Sequence, residues 1–244
     1  MLISLIMIAA MFSTNVFAEN TSSYLYHFKP LKCGDNVVYS LDSYTGSLTI
    51  YGEGRMYDYE NKSPFSEVET IKSITIYDGV TSIGDNAFLG CIGLTSVTIG
   101  NSVTEIGNCA FLGCIGLREV TIPNVISIGE SAFLDCRGLI SVTIPNVTSI
   151  GDCAFLGCTS LREITIPNSV ATIGDSAFSG CRGLTSATIG NSVNLIFSMY
   201  VFCFYIKKGY PLSIYTYSWG YPKDLIIYPR MGSGSVPQFP GFLC

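Results

Sequence analysis

Apolar residues return along this chain every 22 or 23 positions, a period far longer than that of any single helix or strand. Phe88, Phe111, Phe133, Phe155 and Phe178 hold one column, and Ile83, Ile106, Ile128, Ile150 and Ile173 hold another. Leu94, Leu117, Leu139, Leu161 and Leu184 form a third, followed by Ile99, Ile122, Ile144, Ile166 and Ile189. The one-residue difference falls where "GNSV" or "PNSV" shortens to "PNV" at Asn124 and Asn146. A deletion confined to a turn leaves the inward positions in phase, as stacked repeats require. Within each unit Val97, Thr98 and Ile99, or their equivalents, alternate apolar and polar. That alternation predicts a short strand with Val and Ile inward and Thr outward. One unit cannot bury its apolar side alone, so the pattern predicts coils stacked into a solenoid.

Two other points of the unit are fixed. Gly84, Gly107, Gly129, Gly151 and Gly174 recur at one position, where a left-handed or tight backbone is expected. The A-F-x-G-C segment that follows is too short for a helix standing alone. It is expected to be one helical turn held by packing.

The full unit, L-x-x-V-T-I-P-N-S-V-x-x-I-G-x-x-A-F-x-G-C, resembles the BspA-like type of leucine-rich repeat, known from surface and secreted proteins of bacteria and protist parasites. The resemblance spans residues 71–196, about five and a half coils. The stretch "CGDNVVYSLDSYTGSLTIYGEGRMYDY", with "SPF" and "IKSITIYDGV" after it, resembles the β-rich cap that precedes such arrays. Residues 19–70 are therefore expected to form an N-terminal cap of short antiparallel strands. The resemblance implies a β-rich solenoid, a parallel-strand stack of leucine-rich repeats behind an N-terminal β cap. It also implies a binding or adhesion role without enzymatic activity.

Both ends depart from the repeat. Residues 1–18, "MLISLIMIAAMFSTNVFA", resemble a secretory signal, with Val16-Phe17-Ala18 as its cleavage site, although no Lys or Arg follows Met1. Export would place the mature protein outside the cell or on its surface. It would also give meaning to the sequons at Asn20, Asn61 and Asn146 as glycosylation sites, with Asn61 weakened by Pro64 and Asn146 well placed in a turn. Beyond Ile196 the phase is lost, and residues 197–244 read as an irregular, aromatic-rich tail. Its apolar run over residues 195–206 is shorter than the ~18 to 20 residues a membrane span needs. The tail reads as a cap on the last coil, as the remnant of an anchor touching a membrane, or as appended sequence in a truncated copy.

Composition removes several chemistries. With 13% charged residues, a net charge of −5 and no basic run, nucleic acid is a poor partner. The chain has one histidine, His27, ahead of the first cap strand, and no nucleophile paired with a base. No catalytic, cofactor-binding or metal-binding residue is expected. Cys91, Cys114, Cys136, Cys158 and Cys181 share one column; identical residues on successive coils point in parallel, which suits a buried thiol better than a bridge. Cys109 and Cys153 lie two coils apart, about 10 Å, too far to join. The states of Cys33, Cys203 and Cys244 are not readable. Asp85, Glu130, Asp152 and Asp175 form an acidic column, Asn108 replacing one member. It reads as capping of the A-F turn, with calcium binding the sharper alternative.

The outward side of the main strand is the candidate contact surface. Thr75, Thr98, Thr121, Thr143, Thr165 and Thr188 form an unbroken column, and Arg118-Glu119 and Arg162-Glu163 add charge on alternate strands. β-branched propensity alone would also maintain such a column. Together with the resemblance, these residues lead to an expected partner: a protein or glycan on host cells or in extracellular matrix. The competing readings are a structural spacer or coat component without a specific ligand, and a truncated, non-functional copy.

Overall fold

The computed structural model describes residues 31–193 and the backbone of residues 195–196. The signal-like segment, Asn20, His27, Cys203, Cys244 and the tail 197–244 lie outside the described residues. The described residues open with β1 (Leu31–Lys32), β2 (Val37–Asp42) and β3 (Ser47–Gly52), successive neighbours paired antiparallel. β4 (Gly54–Arg55) follows. Each coil then contributes one main strand: β5 (Ser73–Ile76), β7 (Ser96–Ile99), β9 (Glu119–Thr121), β11 (Ser141–Thr143), β13 (Glu163–Ile166) and β15 (Ser186–Ile189). Between them lie short strands, β6 (Val80–Ile83), β8 (Glu105–Ile106), β10 (Ser127–Ile128), β12 (Ser149–Ile150), β14 (Thr172–Ile173) and β16 (Leu195–Ile196). The short strands and β4 form a second parallel sheet. In the main sheet the ladder runs from β1 to β11, and β13 and β15 pair with each other. The chain is thus a parallel-strand solenoid.

β3 lies within the segment expected to be a cap, yet it pairs parallel with β5 in full phase: Ser47, Leu48, Thr49 and Ile50 oppose Ser73, Ile74, Thr75 and Ile76. Phe65 likewise heads the phenylalanine column. Its ring lies 5.5 Å from that of Phe88, and the stack continues at 5.1 to 5.2 Å through Phe111, Phe133, Phe155 and Phe178. Tyr39 closes the head of the stack edge-on, 4.6 Å from Phe65. The hydrophobic columns predicted from the repeat are the core, and all five phenylalanines of the array are buried.

Two local expectations are corrected. The A-F segment is not a helical turn but a series of turns whose alternate N–H groups cross to the next coil. Asn86, Phe88 and Gly90 donate to the carbonyls of Asn108, Ala110 and Leu112 at 2.7 to 2.8 Å, and Cys109, Phe111 and Gly113 repeat this toward Glu130, Ala132 and Leu134. Left-handed residues make the alternation possible: Asn86, Cys109, Ser131, Cys153 and Ser176 have φ of 53 to 55°. The recurrent glycines before them are not left-handed. They are required by close approach, since a Cβ on Gly129 or Gly151 would stand 2.7 Å from backbone atoms of the preceding coil.

Candidate binding surface

Strand pairing puts the predicted threonines side by side. Thr75 opposes Thr98, Thr98 opposes Thr121, Thr121 opposes Thr143, and Thr165 opposes Thr188, each pair in register. Thr49, whose sequence spacing falls outside the 22 or 23-residue repeat, extends the column by opposing Thr75. Neighbouring strands lie about 4.8 Å apart, so the hydroxyls form a row along the solenoid. Thr98, Thr121, Thr143, Thr165 and Thr188 are exposed, while Thr49 and Thr75 are half-buried. Arg118, Glu119, Arg162 and Glu163 are also exposed, each pair at the start of its strand. A rim of Tyr51, Tyr77, Pro123, Pro145 and Pro167 flanks the row on its other side.

The chemistry of these threonines is set by what they do not hold. Among the described residues none of the row's hydroxyls makes a hydrogen bond within the protein. The threonines at the corners behave differently. Thr95, Thr148 and Thr185 donate their hydroxyls to the carbonyls of Lys72, Ile126 and Arg162 on the preceding coil, at 2.9 to 3.1 Å. Cross-strand hydroxyl pairing, one structural reason for keeping a threonine row, is therefore absent among the described residues.

The cysteine column has a structural account. Cys91, Cys114, Cys136, Cys158 and Cys181 are buried free thiols. Each also donates to the carbonyl of the phenylalanine one coil back, Cys136 Sγ to Phe111 O at 3.1 Å and Cys158 Sγ to Phe133 O at 3.2 Å. Beyond the size expected from sequence, the thiol thus adds a second, weak donor to a carbonyl that already accepts a backbone N–H from three residues on. Burial raises the pKa of Cys33 to about 12 and pushes Cys136 up as well. The half-buried Cys109 and Cys153 are raised too, by desolvation first and then by nearby carboxylates.

The acidic column also acts between coils rather than within its own turn. Asp85 Oδ1 accepts the N–H of Asn108 at 2.6 Å, Asn108 Oδ1 accepts that of Glu130 at 2.8 Å, and Asp152 Oδ1 accepts that of Asp175 at 2.7 Å. No group of three or more His, Cys, Asp or Glu side chains that could hold a metal ion occurs among the described residues. Of the sequons, Asn61 is exposed. Asn146 is exposed too, but its amide donates to Pro123 O at 2.6 Å and Asn124 Oδ1 at 3.3 Å.

The profile of the BspA type leucine rich repeat region matches residues 60–146 and 126–209 of this chain, in six copies. Among solved structures, the leucine rich repeat protein of T. pallidum is 26% identical, with a TM-score of 0.51 over 65% of this chain and 79% of that one. A leucine rich cell surface protein from Faecalibacterium prausnitzii is 28% identical, with a TM-score of 0.42 over 71% of this chain and 55% of that one. A leucine-rich repeat protein from Bacteroides ovatus is 25% identical, with a TM-score of 0.43 over 66% of this chain and 54% of that one. The chain thus spans little more than half the length of these last two proteins. No curated protein matches it significantly. With the repeat profile covering residues 60–209 and its columns forming the core just described, the chain belongs to the BspA-type leucine-rich repeat family.

Proposed function

We propose that this protein works outside the cell or on its surface, and that the threonine face of its main sheet adheres to a protein or glycan on host cells or in extracellular matrix. One observation carries the reading. Thr98, Thr121, Thr143 and Thr165 present exposed hydroxyls without an internal partner, beside Arg118, Glu119, Arg162 and Glu163. An evenly spaced row of donors and acceptors gives many weak contacts, and affinity grows by their number. The Tyr51 and Tyr77 rim adds amphipathic side chains of the type favoured at interfaces. The signal-like residues 1–18 support export.

The test is binding of the full-length protein to intact host cells and to immobilised matrix proteins, beside a Thr121→Glu/Thr143→Glu/Thr165→Glu variant with unchanged circular dichroism. Saturable binding that the variant loses supports adhesion through this face. A folded protein that binds none of these targets returns the weight to a spacer or coat component.

A further inference from the structure

The outward face of the main sheet changes character along the solenoid, and at the cap end it carries two aromatic rings. Ile50 opposes Ile76 and Ile76 opposes Ile99, so the residues that follow them, Tyr51, Tyr77 and Gly100, share one column. Thr98 opposing Thr121 puts Pro123 next in that column. Tyr77 N–H donates to Ile50 O at 3.0 Å, which holds the two tyrosines on neighbouring rungs. Each lies two residues after a threonine of the row, Thr49 or Thr75, and so on the same outward side. Tyr77 is 49% exposed and Tyr51 is half-buried. Among the described residues neither ring packs on another ring, and neither phenol makes a hydrogen bond within the protein.

Gly100 leaves a notch beside Tyr77. Its lack of a side chain has a structural cause, since a Cβ would stand 2.8 Å from the carbonyl carbon of Tyr77 and 2.9 Å from Asp78 N. The consequence at the surface is an opening between Tyr77 and Pro123, two strand spacings or about 10 Å apart. Charge is absent along both columns: from Thr49 to Thr188 and from Tyr51 to Gly190 they hold no Asp, Glu, Lys, Arg or His. A free aromatic face, a notch one residue wide and uncharged hydroxyls together suit a sugar ring. The C–H face of a sugar lies well on the negative face of an aromatic ring. Its hydroxyls both donate and accept, as those of threonine do. A folded protein anchors itself through side chains sunk into desolvated pockets, and a face of Thr, Gly and Pro offers only shallow relief.

We propose that Tyr51, Tyr77 and the Gly100 notch form the primary subsite for a neutral glycan, with a hexose ring on the free face of Tyr77 and further sugars running along the threonine row. The inference rests on the adhesive reading of that row and selects its partner: an uncharged carbohydrate chain rather than a protein. Stacking anchors the chain at one end of the face, and the exposed hydroxyls of Thr98 and Thr121 extend the contact coil by coil. On the coils of β5 and β7 the opposite flank of the row is Ser73 and Ser96, not the Glu119 and Glu163 of later coils. Recognition at this end therefore does not depend on charge, and salt leaves it intact.

Binding of the full-length protein to host cells, before and after mild periodate cleaves the vicinal diols of their sugars, tests it. Immobilised neutral glucan, mannan, galactan and poly-N-acetylglucosamine serve as defined probes, with heparin as the charged control. The wild type should bind intact cells equally at about 0.1 M and about 1 M salt, lose them after periodate, and be retained on one of the neutral polymers, which identifies the sugar. Tyr77→Ala should weaken both kinds of binding about tenfold, whereas Tyr77→Phe, which keeps the ring, should stay within about threefold of wild type. Should Tyr77→Ala fail to fold by circular dichroism, Tyr77→Leu, which keeps apolar bulk without a ring, takes its place. Cell binding that survives periodate but is lost in the Thr121→Glu/Thr143→Glu/Thr165→Glu variant overturns the glycan and leaves the adhesive reading standing with a protein partner. Polymer binding unchanged in Tyr77→Ala overturns the subsite. Retention on heparin alone, released by salt, overturns it in favour of a polyanion. Absence of binding to cells, matrix proteins and polymers alike overturns both the subsite and the adhesive reading.

Discussion

The main-sheet side and the A-F side of each coil solve one problem in different ways. Both must hold a coil to its neighbour through backbone hydrogen bonds. On the main-sheet side, strand pairing does this from β1 to β11 and between β13 and β15, and the outward threonines are left uncommitted. On the A-F side only alternate N–H groups reach the next coil, and side chains complete the bonding there and at the corners. Cysteine thiols meet phenylalanine carbonyls, corner threonines meet carbonyls of the preceding coil, and Asp85, Asn108 and Asp152 accept N–H groups. A threonine at 148 is therefore part of the scaffold, while one at 143 is free to meet a partner. Regular pairing frees chemistry for function; irregular backbone consumes it.

The sharpest challenge to this contrast is damage to the A-F side at its centre. Phe133 is stacked 5.2 Å from both Phe111 and Phe155, and Phe133→Ala should cost about 3 to 5 kcal/mol in urea unfolding. A loss under about 1 kcal/mol would mean that the stack does not hold the coils together.

Alkaline pH acts on the buried thiols, Cys33 in the cap and Cys136 on the A-F side. Cys33 ionises at about 12 in the folded protein against an ordinary value of 9.0, and burial raises Cys136 too. Above pH 9.0 the unfolded chain has released protons that the folded chain still holds, so stability falls as pH rises toward the folded value. Below pH 9.0 both states keep the proton and the contribution is complete. The urea midpoint should drop between about pH 8 and about pH 10 in the wild type, and drop less in a Cys33→Ala/Cys136→Ala variant.

Close stacking gives the next effect. A Cβ at Gly129 would meet the carbonyl carbon of Gly107 at 2.7 Å, so Gly129→Ala should destabilise by about 1 to 3 kcal/mol. An unchanged melting temperature would show that the coils have room to part. The smallest pair of effects bears on the contrast most directly. Thr148→Val loses the bond to Ile126 O and should cost about 0.5 to 1 kcal/mol, while Thr143→Val should stay within about 0.5 kcal/mol of wild type. Equal costs at the two sites would abolish the distinction between scaffold and face.

Much of the core is legible in the repeat itself. Strict columns of Phe, Ile, Leu and Val identify it because a stacked coil repeats each environment, and the environment selects the residue. The start of the parallel stack is harder to read. Phe65 lies 23 residues before Phe88, but Pro64 replaces the usual Ala beside it, and Ser47-Leu48-Thr49-Ile50 precedes Ser73-Ile74-Thr75-Ile76 by 26 residues. An interval broken by a longer loop hides a rung that pairing nevertheless keeps.

Periodicity along the chain is enough to dictate which residues face inward, that coils must stack, and that a threonine stands on every main strand. Those are properties of a single coil repeated, and the repeat records them. What each polar atom does is settled in three dimensions, because it depends on the coil next to it. Contact with the preceding coil makes the glycines necessary, gives the cysteines their carbonyls and occupies the corner threonines. Strand pairing, continuous from β1 to β11 and again between β13 and β15, leaves the sheet-face hydroxyls without a task inside the protein.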